Sequence, residues 1–487
     1  MQATEIAGLE SALMGFLGEF DDCFGRSEPR EHLRTYVSGQ LSDLERKSVE
    51  PIALAAGVPP RTLQRFLELV EWDQERLRDK LQQTAARDHA DPDAIGIIDE
   101  TGHPKKGSHT AGVKRQWCGH TGKVDNCVVS VHTGYVAGDF QCLLDSDVYL
   151  PEEWADDLAR RRAAHIPDDV TFRTKPQIAL DQIRRCLDHG IRVAAWTFDE
   201  LYGRDGGFLS GLDALGQTYV AEVPSDFTGW VRPPRVLLRP TPWALRRPGG
   251  RRRFPRLAGT AAPPSEVRHL AAQSSVFRRQ PWQPFHIKDG QKGPIVWEVK
   301  QADFYRKHAH GLPGPTHTLI IARNALDHDE VKYFVANVAV GSDLQKLSWL
   351  LHVAFSRFPI EHCFRQAKDE LGMDHFEVRG WRSIHRHLYV TQLSHLFCSR
   401  QRRALREKND RACGTDRGAG SRRRFRLRGR AVLAQAGTVD PLPAGFGPDR
   451  VPPVAQPIGA GESSKKNACH AGRKRDQHRR IAFVPTG

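Results

Sequence analysis

No apolar stretch in the sequence reaches the roughly 18–20 residues that a membrane-spanning helix needs, so no membrane partner is expected. The N-terminal MQATEIAGLESALMGFLGEF lacks the basic start of a secretion signal, and Glu5, Glu10 and Glu19 interrupt its apolar positions. Nine cysteines are scattered singly, with no Cys-x-x-Cys pair. That excludes a zinc ribbon and a disulfide framework, and it suits a reducing, cytoplasmic compartment. None of the 22 histidines stands in a His-Glu-x-x-His spacing, which removes zinc hydrolysis from the readings. Internal repeats are absent as well.

What is present is positive charge. Lys and Arg number 72 against 58 Asp and Glu, a net +14. Basic surfaces bind nucleic acid by releasing counterions, without reading sequence. The excess is uneven, because about +10 of it follows Asn409, where sixteen Lys and Arg meet six Asp and Glu. The remainder is only mildly basic. The 39% hydrophobic and 27% charged residues of the full sequence fit a globular enzyme of two or three domains.

Residues 1–88 read as helical, with apolar positions at Leu41, Leu44, Val49, Ile52 and Ala53, and again at Leu63, Phe66, Leu67 and Val70. Gly57-Val58-Pro59-Pro60 breaks the run. A short helix, a glycine turn and a helix opening on proline make the layout of a helix-turn-helix. Arg61, Gln64 and Arg65 would then face a DNA major groove; a plain helical hairpin has the same pattern. From Ala94 the texture turns to strands and helices, the mark of a mixed α/β sheet. Strands are expected at 95–98, 126–132, 140–144, 193–198 and 218–223, with Thr133-Gly134 and Gly138 as turns, and helices at about 151–164 and 175–189. Residues 225–325, rich in Pro, Arg and Gly before strand-like runs, read as an inserted β-rich subdomain. The segment 326–408 returns to strand and then helix. Beyond it, 409–487 is Arg/Pro/Gly-rich without periodicity, and disorder is expected.

Three acids have contexts that fit phosphoryl transfer. Two-metal chemistry needs converging carboxylates that hold a pair of divalent ions, and hard oxygen ligands suit Mg²⁺. Asp99 closes the strand GIID ahead of a glycine loop carrying Lys105 and Lys106. Asp199 closes VAAWTFD in the same way. Read alone, either fits a turn-forming aspartate. In SRFPIEHCFRQAKDELGMDHF, Ile360, Phe364, Ala367 and Leu371 form one apolar stripe. Glu361, Arg365 and Lys368 fall close together on another face. An amphipathic surface helix with charge pairs fits that segment too.

Together these segments resemble the DDE-type transposases of insertion sequences, whose glutamate segment reads Tyr-x2-Arg-x3-Glu-x6-Lys. Arg357, Glu361 and Lys368 match at those spacings, while Ala354 stands in the tyrosine position. IIDETGHPKKG and FDELYG resemble the family's two aspartate motifs, and the similarity runs from about 40 to 408. The resemblance implies a ribonuclease-H-like α/β fold: a mixed sheet with flanking helices, preceded by a helical N-terminal domain and interrupted by the β-rich insertion. It implies that Asp99, Asp199 and Glu361 hold two Mg²⁺ ions, replaceable by Mn²⁺. Lys105, Lys106, Arg357, Arg365 and Lys368 would position phosphates. The implied partner is double-stranded DNA, as terminal inverted repeats and target, bound by a homodimer near the bacterial nucleoid. Water would nick the element's end, and the freed 3′-hydroxyl would attack the opposite strand or target DNA. An insertion-domain aromatic would stack on a flipped base, with Trp230, Trp282 and Trp297 as candidates beside ordinary core packing.

The resemblance stops near Lys408. The tail fits either a shifted reading frame or a basic DNA-binding arm. A Mg²⁺-dependent endonuclease without strand transfer and a DNA-binding regulator that has lost its chemistry stay open as alternatives.

Overall fold

A computed structural model describes residues 3–237, 255–290, 293–308 and 310–412. The basic tail and most of the RRPGGRRRFPR stretch lie outside them. Five helices lead: α1 (Ala3–Gly18), α2 (Ser27–Leu41), α3 (Val49–Ala55), α4 (Pro60–Glu68) and α5 (Gln74–Asp88). Gly57 makes the turn between α3 and α4 at a φ of +68°, a conformation that suits a residue without a side chain. Pro60 opens α4, where its missing N–H costs nothing. Leu63, Phe66 and Leu67 are fully buried, and Arg61 and Arg65 face solvent.

The sheet begins with β1 (Ile95–Pro104), β2 (Lys114–Cys118), β3 (Lys123–Ala137) and β4 (Phe140–Val148). Small helices α6 (Glu152–Ala155) and α7 (Leu158–Ala163) and the longer α8 (Lys175–Asp188) follow. Then come β5 (Ala195–Phe198), α9 (Glu200–Gly203), α10 (Gly206–Ala214) and β6 (Tyr219–Val223). The strands lie in the order β4-β3-β1-β5-β6. β1, β5 and β6 run parallel, and β3 runs antiparallel to β1 and to β4. Buried strands of this kind need apolar residues on both faces, and Ile95, Ile97 and Ile98 are all buried. Gly96 pairs with Trp196, and a Cβ there would fall 2.3 Å from the indole. Thr133-Gly134, expected as a turn, lies inside β3; the turn is at Gly138, with a φ of +64°.

The stretch expected as an inserted subdomain builds onto this same sheet. Its elements are β7 (Thr228–Trp230), β8 (Val236–Leu237), β9 (Arg256–Leu257), β10 (Ser265–Glu266), α11 (Val267–Gln273), α12 (Ser275–Arg278), β11 (Gln283–Gly290), β12 (Gly293–Lys307) and β13 (Pro313–Asn324). β13 pairs with β14 (Val331–Ala336), and β14 pairs with β6. One twelve-stranded sheet results, with β8 and β9 apart as a small ribbon.

Three helices close the described chain: α13 (Leu344–Ala354), α14 (Phe358–Arg365) and α15 (Trp381–Ala412). A π-helical turn, Gln366–Glu370, extends α14. α15 packs on β4, α2, α4 and α5. Consequently Phe16, Tyr36 and Phe66 of the N-terminal helices share one apolar cluster with Ile98, Val131 and Phe198 of the sheet. Residues 1–88, expected as a domain of their own, are therefore built into the core of the sheet.

Candidate active site

β1 and β5 are parallel neighbours in register, Ile98 beside Phe198. The next residue after each is an aspartate, so the topology alone sets Asp99 and Asp199 side by side; Asp99 does not close its strand as expected, because pairing with β3 carries β1 on to Pro104. Asp199 caps α9, accepting from the Leu201 N–H at 3.0 Å. Asp99 accepts from the Glu100 N–H at 2.8 Å. Both line a cleft of about 420 Å³ with Glu100, Gly102, Trp117, Gly119, Val129, Glu200, Leu201 and Arg204. Burial pushes the Asp99 carboxyl up to about 7; Arg357 pulls it down and Asp199 pushes it further up.

Arg357, at the head of α14, donates to Glu222 at 2.7 Å and lies 3.9 Å from Asp99. Burial disfavours its charge, but Asp99, Asp199, Glu222 and Glu361 together hold its pKa above the usual arginine value. Glu361 is near enough for its field to reach Arg357, yet its side chain is exposed and lies outside the cleft lining. The structure thus brings the two aspartates together and leaves the glutamate at the edge. Among the described residues no three acidic, histidine or cysteine side chains converge closely enough to cage a metal ion by themselves. Asp99 and Asp199 nevertheless fit a divalent cation as hard oxygen donors, one of them buried beside the other and short of positive charge.

Two lysines expected at phosphates are placed elsewhere. Lys105 donates to the carbonyls of Asp374 and Phe376 at 3.1 and 2.7 Å, with its ammonium 3.4 Å from the Phe376 ring centre. Burial pushes its pKa down to about 8. Lys368 is 5% exposed and donates to the Gly102 carbonyl at 3.0 Å. The cause is the π-helical turn. An extra residue per turn rotates its side chains away from the α-helical phase, so Lys368 leaves the face of Glu361 and enters the core beside Ala367. These two lysines brace β1 from below. Lys106 and Arg365 are exposed, as expected of phosphate contacts, and so are Arg61 and Arg65, with Gln64 half-buried between them.

Of the aromatics considered for base stacking, Trp230 and Trp297 are buried, and Trp230 donates to the Ala262 carbonyl at 2.8 Å. Trp282 lies between Lys300 and Arg323, 4.6 and 4.1 Å from its ring. Sequence reasoning missed Glu222, which anchors Arg357 and also accepts from Lys332 at 2.8 Å. It missed the support of Glu100 by Lys175 and by the Tyr202 hydroxyl. Glu100 directly follows Asp99 and was a legible signal; Glu222, mid-strand among apolar residues, is visible as a polar exception in YVAEV.

Comparison with known proteins speaks to the family. The sequence profile described as DDE superfamily endonuclease matches residues 19–294, which hold both aspartates and end before Glu361. A probable transposase for insertion sequence element IS701, from Microchaete diplosiphon, is 36% identical over 190 residues, 39% of this chain. The match spans 47% of that transposase, so the chain covers about half the length of this relative. The piggyBac transposase in a synaptic complex with hairpin DNA overlaps 79% of this chain and 75% of its own, at 10% identity and a TM-score of 0.27, too loosely to bear on the fold. With the profile running over more than half its length and both Asp99 and Asp199 inside the match, the chain belongs to the DDE superfamily of endonucleases.

Proposed function

We propose that this chain is a DNA transposase that cuts the ends of an insertion sequence and joins the freed strand to new DNA. The observation that carries the reading is the pair Asp99, within β1, and Asp199, just past the end of its parallel neighbour β5, open to one cleft. The β4-β3-β1-β5-β6 order, with β3 reversed, supports a ribonuclease-H-like core. Partial identity to an insertion-sequence transposase supports strand transfer over simple cutting.

Asp99, Asp199 and Glu361 would hold two Mg²⁺ ions, which supply Lewis-acid stabilisation of charge on phosphate oxygens. Glu361, on α14 beside Arg357, would complete the set. Arg357 favours the ionised form of Asp99 against its burial, with Glu222 fixing the guanidinium from the other side. Arg204 at the cleft rim and Lys106 and Arg365 beyond it grip the phosphate backbone. Lys105 and Lys368 set the height of β1. The outward face of α4, with Arg61, Gln64 and Arg65, contacts duplex DNA away from the cut. Two copies act on paired element ends.

The test is incubation of the full chain with Mg²⁺ and plasmid DNA carrying the element ends. Nicked and then joined or hairpin products are expected; nicks alone would identify an endonuclease without transfer. Asp99→Asn and Asp199→Asn should each lower the cleavage rate at least a thousandfold while sparing DNA binding. Undiminished cleavage by either variant overturns the assignment.

A further inference from the structure

Trp117 has no role in the reading above, yet its ring is 62% exposed and lines the cleft beside Asp99 and Asp199. Tryptophan is highly buried on average. Among the described residues the other tryptophans are buried or half-buried. The exposure is built in rather than a matter of a loose edge. Trp117 belongs to β2, and the β2–β3 hairpin lies down over β1 because Gly102 has no side chain; a Cβ there would fall 2.7 Å from the Cys118 sulfur and 3.3 Å from its Cα. Cys118, Cys127 and Val129 are buried beneath, with Tyr149 packed against them. Alternation along the strand then turns Trp117 outward while Cys118 points in. Its cross-strand partner Val124 is 53% exposed and widens the apolar patch.

The surroundings restrict what can cover this ring. Arg115 lies two residues away on the same strand face and is exposed, and His120 and Lys123 are exposed at the hairpin end. An aromatic plane flanked by Arg115 and Lys123, at the mouth of a cleft lined by acids, matches a nucleotide: base on indole, phosphates on those two cations. Paired bases inside a duplex offer no free face. We infer that Trp117 is a stacking platform for an unpaired nucleobase in the strand whose phosphodiester lies at Asp99 and Asp199. The inference rests on the proposed function, and names which part of the DNA that site must receive: an end or opened step.

The full chain is titrated with a fluorescent 20-nucleotide single-stranded oligodeoxynucleotide of mixed sequence, and with the same sequence as a blunt duplex, in Ca²⁺ to hold back cleavage. Trp117→Ala should weaken single-strand binding about tenfold and duplex binding less than twofold. Trp117→Phe, which keeps a flat ring, should stay within about threefold of the unaltered chain on both. Unchanged single-strand affinity in Trp117→Ala overturns the inference. So does an equal loss on the duplex, and so does a Trp117→Phe as weak as Trp117→Ala. Asp99→Asn, assayed in parallel with Mg²⁺, separates the two claims: persistent cleavage there sinks the catalytic reading and leaves the Trp117 result to be judged by its own binding curves.

Discussion

At Arg357 a single guanidinium, 79% removed from solvent at its side chain, stands between the carboxylates of Asp99 and Glu222 and pulls down an Asp99 carboxyl that burial pushes up. Removing it leaves Glu222 and Asp99 facing each other across a hole. Arg357→Gln should cost about 2–3 kcal/mol of stability and on the order of a hundredfold in cleavage rate. Arg357→Lys keeps the charge but not the fork, and should fall between. Thermal melts and single-turnover rates decide; full activity in Arg357→Gln would mean the carboxylates need no such partner. His395 offers a different test. It is 1% exposed, neither ring nitrogen has a hydrogen-bond partner, and burial pushes its pKa down to about 4 from an ordinary 6.5. Between those values the unfolded chain binds a proton that the folded one refuses, so the contribution to stability is whole above pH 6.5 and is lost as pH falls towards 4. His395→Leu removes that liability. Its advantage in unfolding free energy should grow by up to roughly 1.4 kcal/mol for each pH unit from 6.5 down to 4. A gap that is flat with pH would show that the folded chain takes up the His395 proton as readily as the unfolded one.

The glutamate helix α14 sits on the sheet through Ile360, whose side chain occupies the space over Gly134; a Cβ at that glycine would lie 3.1 Å from Ile360 Cδ1. Gly134→Val should therefore lift α14 with Arg357 and Glu361 on it, costing about 1–3 kcal/mol and most of the cleavage activity. The double change Gly134→Val with Ile360→Ala should recover both in part, because the clash and its partner go together. Additive losses would place the defect elsewhere. At this scale much was legible in the sequence. Ile360, Phe364, Ala367 and Leu371 are all buried, as their spacing demands, and β5 ends where the apolar run AAWTF meets Asp199, whereas β1 runs on past Asp99 to Pro104 because its pairing with β3 continues. What the pattern hid has identifiable causes. β2 reads KRQWC, an edge strand whose outward face carries no apolar run. The π-helical turn at 366–370 leaves no mark in composition, yet it moves Lys368 from the surface to the core. Gly134 looks like a turn residue because nothing local reveals the isoleucine, more than two hundred residues away, that needs the space.

On the scale of the whole molecule, the N-terminal helices, which read as a separate domain, are tied to the sheet by α15. Its Arg386, 2% exposed, donates to the carbonyls of Phe66, Leu67, Val70 and Trp72 at 2.8–3.3 Å and to Gln74 Oε1 at 2.9 Å. Its guanidinium carbon stands 4.5 Å from the Trp72 ring centre. These carbonyls belong to the last turn of α4 and the chain leaving it, where a helix leaves acceptors unsatisfied and a cation is favoured. Burial without an acidic partner pushes the Arg386 pKa down to about 9, which still leaves it charged at neutral pH. The clamp thus joins the helix that presents Arg61 and Arg65 to the helix that lies along β4. Arg386→Met keeps much of the side-chain volume and removes the charge, so what it leaves behind is a set of buried carbonyls without donors, each costing about 1 kcal/mol or more. The loss should fall on α3 and α4 first, since the rest of α15 still packs on β4. Hydrogen exchange across 49–72 should speed up by on the order of a hundredfold, equivalent to about 3 kcal/mol of local stability, while β1, β3 and β5 keep their protection. Affinity for long duplex DNA should drop with it, and the cleavage of short DNA that depends on Asp99 and Asp199 should persist. Uniform acceleration across the sheet would instead make Arg386 a support of the entire core, and an unchanged exchange pattern would mean that apolar packing alone seats α4.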